Sequence, residues 1–321
     1  MKKREVAILI LFFCNSIVCR SIITFEKNGG RLGDNLLSLS HALWLSLQYD
    51  IQLYIPKFNH SDEFHIHDIL PLCTNSLEKR YDVVRLGAVE NPVLKPEKDV
   101  LYVSQWRTRA SVNWQDEEFV AVLKKLLTPR KKIKYIEKPA DCITVALHIR
   151  MGGGFSFDHR VKHKLPQKFP PFHFYVDQLE RLIGMYPEQQ LYVYIFTDDD
   201  HPGKLQAMLQ DALRMRNIAS GQIRYEYRER NNRHDANVLD DFFNMMEFDV
   251  LIRPQSGFSM FAQRLSERHS LIIAPKLHTF ISSKAWKIDT VSVVRVDHQA
   301  NRRTVTLEPC NTQGCNALAP L

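Results

Sequence analysis

The stretch "VALHIRMGGG" brings a histidine and an arginine to the end of an apolar segment and follows them with three glycines. An arginine in that place can present its planar fork to a phosphate, and glycines leave room for a ligand to approach the backbone. His148, Arg150 and Gly152 are therefore candidate contacts of an anionic ligand. Arg150 could instead close an internal ion pair, and His148 could be an ordinary core histidine.

A second set of polar residues lies in "NVLDDFFNMMEFDVLIRPQSGFSMFAQRL". Asp241 falls on the apolar side of a predicted helix, where a carboxylate needs a partner such as Arg150 or a ligand hydroxyl or amine. After the next predicted strand, the free N–H groups at the start of another helix suit a phosphate. The residues at that helix start are Ser256, Gly257, Phe258 and Ser259. Helix capping alone would also explain the two serines.

Two more loops follow predicted strands. In "IFTDDD", Thr197 and Asp198 could hold the base or ribose of a nucleotide. Asp198 and Asp200 also have the spacing of some metal sites, but acidic residues in such loops more often cap helices, so no metal is expected. In "NGGRLGD", glycines would let a ligand reach a helix start, or would merely form a turn that Asp34 caps. The candidate residues of this loop are Gly30, Arg31, Gly33 and Asp34.

These four loops need a scaffold that brings strand ends together. Apolar strands alternate with helical patterns along most of the chain, which predicts an α/β fold with parallel sheets covered on both faces. Ligands of such sheets bind at the carboxyl ends of the strands. Two prolines and a run of charges at 129–140 mark a domain boundary. The predicted ranges are a leader at 1–20, a first domain at 21–135, a second domain at 136–300 and a polar tail at 301–321.

Composition limits the classes of partner. The net charge of +7 suits an anionic substrate, and the basic residues are spread along the chain without the interleaved aromatics of a nucleic-acid patch. Residues 1–20 combine a basic start with an apolar run, as in a signal peptide or a short membrane tether. This pattern predicts export through a secretory pathway or association with a membrane, unless the run is a buried segment of a cytoplasmic protein. Cys310 and Cys315 are close enough in sequence for a small disulfide loop.

Taken in order, the four loops resemble the fucosyltransferase superfamily, which includes α1,2- and α1,6-fucosyltransferases and protein O-fucosyltransferases. "GGRLGDNLL" is similar to the family's opening block, and "VALHIRMGG" to its His-x-Arg-Arg motif. "IFTDD" is similar to its Thr-Asp block, and "DFFNMMEFDVLIRPQSGFSMFAQRL" to its last motif. The resemblance implies the GT-B arrangement, in which two Rossmann-like domains have parallel sheets that face a cleft. It also implies that the second domain binds GDP-fucose.

The resemblance implies roles for single residues as well. Arg150 matches an arginine that grips the β-phosphate of GDP, Asp241 matches an aspartate that contacts the donor, and residues 256–259 match a phosphate-binding turn. Two of the blocks depart from the family's pattern. In one, Met151 stands where the motif has its second arginine, and Gly152-Gly153 replace a small residue and an aspartate. In the other, Asp34 replaces an asparagine, so that its carboxylate could act as a general base.

These matches predict an inverting, metal-independent glycosyltransferase that needs no cofactor and moves fucose from GDP-fucose to a hydroxyl of a glycan or glycoprotein. Arg150 and Asp34 would be its catalytic residues. The donor contacts would be His148, Gly152, Thr197, Asp198, Asp241, Ser256, Gly257, Phe258 and Ser259, and the cleft loop would contribute Gly30, Arg31 and Gly33. The missing second arginine leaves two alternatives open. One is a degenerate relic that binds a nucleotide or a glycan, and the other is a GT-B transferase for a different sugar nucleotide.

Overall fold

The computed structural model describes residues 21–310, with gaps at 28–29, 96–98, 106–107, 153–164, 219, 234 and 283–284. The chain forms two compact units, Met1–Lys132 and Ile133–Leu321. Each unit contains a sheet of mostly parallel strands joined by helices, which confirms the predicted α/β class. The predicted leader and Cys315 lie outside the described residues. Among the described helices, none is long and apolar enough to cross a membrane.

The first unit is built on one small sheet. Its strands are β1 (Ile22–Phe25), β2 (Gln52–Leu53), β3 (Asp82–Arg85) and β4 (Val100–Ser104). Its helices are α1 (Leu32–Tyr49), α2 (Ile66–Ile69), α3 (Asn75–Arg80) and α4 (Glu117–Leu126), with a 3-10 turn at Ser61–Glu63. The strands are all parallel and lie in the order β2-β1-β4-β3.

Helix α1 supports the glycine loop of the first unit. Leu36, Leu39 and Leu43 recur at three- and four-residue steps and are fully buried, so one side of the helix packs into the core. Asp50 ends the helix in the left-handed conformation, with its N–H donating to the carbonyl of Ser46. In the chain, the start of α1 follows the carboxyl end of β1.

The second unit is built on a larger sheet. Its strands are β5 (Cys142–Ile149), β6 (Gln190–Thr197), β7 (Ile223–Tyr227), β8 (Val250–Ile252), β9 (Leu271–Ser282), β10 (Ala285–Asp297) and β11 (Arg302–Pro309). Its helices are α5 (Phe172–Met185), α6 (Pro202–Met215), α7 (Val238–Met245) and α8 (Gly257–Leu265), with a 3-10 turn at Ser220–Gln222. The strand order is β11-β10-β9-β8-β5-β6-β7, and strands β5 to β9 are parallel.

The register of the central strands decides which side chains meet. β5 pairs with β8 at Leu147 and Ile252, and with β6 at Ile149 and Thr197. Leu147 and Ile149 enter the large hydrophobic core, so His148 lies on the opposite face of the sheet. The carboxyl ends of β5, β6 and β8 therefore meet at one edge, where three of the predicted ligand loops begin.

The end of the chain differs from the prediction of a polar tail at 301–321. Residues 302–309 form β11, an edge strand that pairs antiparallel with β10, so the second domain extends past residue 300. Thr304-Val305-Thr306-Leu307-Glu308 alternates polar and apolar residues, which is a strand pattern, although the apolar Val305 and Leu307 are exposed in the structure. Cys310 follows β11 and is buried.

Candidate functional site

Arg150 lies at the carboxyl edge of the second sheet, directly after β5. Its Nη1 donates to Ser256 Oγ over 3.4 Å, and its guanidinium carbon lies 5.2 Å from the centre of the Phe169 ring. The aromatic face attracts the cation and limits its direction. Two residues predicted as phosphate contacts, which are 106 positions apart in the sequence, are therefore neighbours in the fold.

The start of α8 is not capped by a side chain among the described residues. The first backbone hydrogen bond of the helix runs from Met260 N to the carbonyl of Ser256, at 2.9 Å. The N–H groups before Met260 point out of the helix end, where the helix dipole favours an anion. Ser259 is fully buried, and its Oγ has no hydrogen-bond partner among the described residues. Capping as the role of the two serines is therefore wrong.

His148 lies beside this helix start as a buried, neutral imidazole. Its ring is in edge contact with Phe258, with centroids 6.1 Å apart. Only 9% of the residue is exposed, and Nδ1 has no hydrogen-bond partner in the described part of the chain. Burial, reinforced by Arg150 and Arg253, lowers the pKa of His148 to about 3. A ligand that reaches this edge can satisfy the buried Nδ1 atom.

Asp198 and Thr197 shape the chain at the same edge. Asp198 Oδ1 accepts from Met151 N at 2.6 Å, and both carboxylate oxygens lie 3.1 Å from Gly152 N. Gly152 has a φ of +85°, a conformation that disfavours residues with a side chain. Thr197 Oγ1 accepts from Asp199 N at 3.2 Å. The side chains of Asp198 and Thr197 thus hold backbone N–H groups of the loops at this edge. Their direct contact with a base or ribose stays a prediction.

Asp241 is paired, but the expected pairing with Arg150 is wrong. Its Oδ1 lies 2.6 Å from Nη2 of Arg228, which directly follows β7. Burial raises the pKa of Asp241, and the guanidinium of Arg228 opposes that shift. The sequence signal for Arg228 is the same as for Arg150, namely an arginine directly after a predicted strand.

Arg253 is a residue of this edge that the sequence pattern does not single out. It directly follows β8, and its Nε donates to Gln263 Oε1 at 2.6 Å while its Nη1 donates to the carbonyl of Pro254 at 3.0 Å. Burial, followed by repulsion from Arg264, lowers the pKa of Arg253 to about 10. The side chain therefore remains a cation at neutral pH.

The glycine loop of the first unit is organised around Asn35. Its Nδ2 donates to the carbonyls of Gly30 and Arg31 at 3.0 and 3.1 Å, which fixes the turn into α1. Gly33 is buried in the first turn, and Arg31 occupies the N-cap position. Asp34 is exposed in that turn and does not cap the helix, so capping is wrong for this residue too. An exposed carboxylate of this kind can accept a proton from a hydroxyl group.

The two acidic residues after Asp198 belong to the same loop. Asp199 Oδ1 accepts from His201 N at 2.7 Å, and Asp200 is exposed. Within the described ranges, no group of three or more His, Cys, Asp or Glu side chains is placed to hold a metal ion.

Comparison with solved structures finds fucosyltransferases. The chain is similar to the fucosyltransferase NodZ from Bradyrhizobium, with 14% identity and a TM-score of 0.48 over 86% of this chain and 98% of that one. It is similar to a mutant of Arabidopsis thaliana FUT1 in complex with GDP, with 12% identity and a TM-score of 0.49 over 84% and 76% of the two chains. It is also similar to POFUT1 in complex with GDP-fucose, with 12% identity and a TM-score of 0.46 over 79% and 97%. No protein-family model and no curated protein matches the chain. Identities this low leave the chemistry to be decided by the chain's own residues.

Proposed function

We propose that this chain is a glycosyltransferase that takes its sugar from a nucleoside diphosphate donor. The observation that carries the proposal is the contact of Arg150 with Ser256 at the uncapped start of α8, at the carboxyl edge of a parallel sheet. A planar cation and an open helix N-terminus together form a site for phosphate groups. The motifs that resemble those of fucosyltransferases make GDP-fucose the proposed donor.

The buried polar atoms beside this contact support a ligand that makes several hydrogen bonds. His148 Nδ1 and Ser259 Oγ are buried and have no hydrogen-bond partner among the described residues. An unsatisfied buried polar group costs about 1–3 kcal/mol, so a ligand that satisfies either atom gains affinity. A nucleotide diphosphate offers both phosphate oxygens and ribose hydroxyls to such atoms.

The proposed reaction is a single displacement at the anomeric carbon of the sugar. The oxygen of an acceptor hydroxyl forms a bond to this carbon, while the bond from the carbon to the β-phosphate oxygen breaks and its electron pair leaves with the diphosphate. Arg150 and the start of α8 stabilise the charge that develops there, an effect worth about 3 kcal/mol per well-placed donor. The hydroxyl proton passes to a base, for which Asp34 is the candidate. Such a displacement inverts the anomeric configuration, and the arginine and the helix end supply positive charge without a metal ion.

The proposed acceptor is a hydroxyl of a glycan or glycoprotein. The predicted leader favours a secretory or membrane-associated location, so the GDP-sugar donor must be present in the same compartment.

Thermal unfolding of the full-length protein with GDP, UDP, ADP and GDP-fucose tests the donor site. A ligand at 100 times its dissociation constant adds about 2.7 kcal/mol to the free energy of unfolding. We expect this gain with GDP and GDP-fucose, with or without EDTA, together with release of GDP from GDP-fucose when glycan acceptors are supplied. The variant Arg150→Ala should lose both the stabilisation and the turnover. The control Arg214→Ala changes an arginine side chain that is 74% exposed and should keep both.

Each other outcome has a distinct meaning. No stabilisation by any nucleotide refutes the proposal. Stabilisation by GDP without release of GDP from GDP-fucose identifies a nucleotide-binding protein, and preference for another sugar nucleotide identifies a transferase with a different donor. Wild-type turnover by a folded Arg150→Ala variant removes Arg150 from the mechanism.

A further inference from the structure

Arg253 occupies the strand end next to that of Arg150. β5 and β8 are parallel neighbours, and their last paired residues are Leu147 and Ile252. The residues that follow this pair, His148 and Arg253, therefore lie side by side on the same face of the sheet. The backbone N–H of Arg253 donates to the carbonyl of Ile273 at 3.0 Å, which continues the ladder to β9. The strand geometry therefore carries the Arg253 side chain to the edge at which the donor site is proposed.

The guanidinium of Arg253 is held by neutral groups. Its hydrogen bonds go to the side-chain amide of Gln263 and to the carbonyl of Pro254. In the described part of the chain, no carboxylate forms an ion pair with it, and its electrostatic neighbour is another cation, Arg264. A half-buried cation without an acid is costly, and an anionic ligand would compensate that cost.

Position 151, directly after Arg150, brings no charge to this edge. The motif that the sequence resembles has an arginine there, whereas Met151 packs against the hydrophobic core of the second unit. Arg150 and Arg253 both lower the pKa of His148, so the two guanidinium groups lie within electrostatic reach of one imidazole ring. Arg253 thus brings its charge from β8 to the surroundings of Arg150.

We propose that Arg253 supplies the second positive charge for the donor diphosphate, in place of the arginine that Met151 replaces, and that Gln263 positions it. The inference rests on the proposed function. Gln263 belongs to α8, so the helix whose N-terminus faces the phosphate groups also sets the direction of this guanidinium. The site would then hold its donor between arginines from two neighbouring strands.

Calorimetric titration of the full-length protein with GDP and with guanosine tests this role. Arg253→Gln should weaken GDP binding by about tenfold or more, because it removes a charge-assisted hydrogen bond, while leaving guanosine binding unchanged. Arg253→Lys should recover part of the GDP affinity, and Gln263→Leu should give a smaller loss than Arg253→Gln. The control Arg214→Gln should bind both ligands like the wild type. Thermal unfolding of each variant without ligand shows that it is folded.

Three results would overturn the inference. Wild-type GDP affinity in folded Arg253→Gln shows that the side chain does not contact the diphosphate. Equal losses for GDP and guanosine show that Arg253 only maintains the structure. An Arg253→Lys variant as weak for GDP as Arg253→Gln shows that positive charge is not what this position supplies. A wild-type protein that binds no nucleotide refutes the proposed function itself, whereas the three results above leave that function standing.

Discussion

Lowering the pH from 7 to 5 should destabilise the second unit through two buried histidines. His148 and His269 are 9% and 2% exposed, and each has a buried Nδ1 without a hydrogen-bond partner among the described residues. Burial lowers the pKa of His148 to about 3 and that of His269 to about 4. Both rings therefore stay neutral at pH 5 in the folded chain, whereas in the unfolded chain they take up protons below about pH 6.5.

The size of the effect follows from these pKa values. Because the unfolded state binds more protons, stability is lost as the pH falls through 6.5, and the loss levels off near the folded pKa values. Between pH 7 and pH 5 each of the two histidines removes about 2 kcal/mol, or about 4 kcal/mol together. His173 acts in the same direction. Asp177 and Asp241 act in the opposite direction, because burial raises their pKa and the folded chain then holds their protons more tightly.

Urea unfolding at pH 7, 6 and 5 measures this loss directly. His269→Gln and His148→Gln should each reduce the loss between pH 7 and pH 5 by about 2 kcal/mol, because glutamine does not titrate. His201→Gln changes an exposed histidine and serves as the control, with the same loss as the wild type. If both buried-histidine variants lose as much stability as the wild type over this range, the two rings do not stay neutral in the folded chain and the reasoning is refuted.

Two further predictions concern carboxylates. Arg228→Gln leaves Asp241 without its cation and should lower the free energy of unfolding at pH 7 by roughly 2 kcal/mol. The loss should be smaller in acid, where the carboxyl group of Asp241 is protonated. Urea unfolding at neutral and acidic pH checks this. Asp34→Asn should lower the maximal rate of sugar transfer more than the donor affinity, because an amide cannot accept the acceptor's proton; steady-state kinetics across pH checks this.

Either prediction can fail in a recognisable way. An equal loss of stability for Arg228→Gln at neutral and acidic pH would mean that the ionised form of Asp241 is not what Arg228 stabilises. A pH–rate profile and maximal rate of Asp34→Asn that match the wild type would mean that another group accepts the proton.

The edge at the ends of β5 and β8 could be predicted from the sequence because one rule governs it. Apolar segments separated by helices indicate parallel strands, and parallel strands have their carboxyl ends at one edge. That rule is enough to bring Arg150 and Ser256 together, although they are far apart in the chain. This rule does not identify the donor, and the contacts of individual residues with GDP stay predictions.

The parts that the sequence did not reveal depend on which side chains reach each other. Asp241 needed a cation, but whether an arginine after β5 or one after β7 is closer depends on the packing of α7, which periodicity does not describe. Arg253 is followed by a proline and resembles an ordinary strand end, so only its neutral partners in the fold mark it as unusual. β11 shows a short polar/apolar alternation, but its apolar residues are exposed at the edge of the sheet, so burial did not mark it as part of the second domain.

The pairing of β5 with β8 also determines when the site can exist during folding. These neighbours in the sheet are joined by a connection whose described residues form β6, β7 and three α-helices, so their pairing closes a long loop and is slow to form. Arg150 and Ser256 therefore meet only once β5 and β8 have paired at the centre of the second unit. A ligand bound to both Arg150 and Ser256 opposes opening of the whole unit. It would therefore slow hydrogen exchange of the buried backbone amides in β5 and β8.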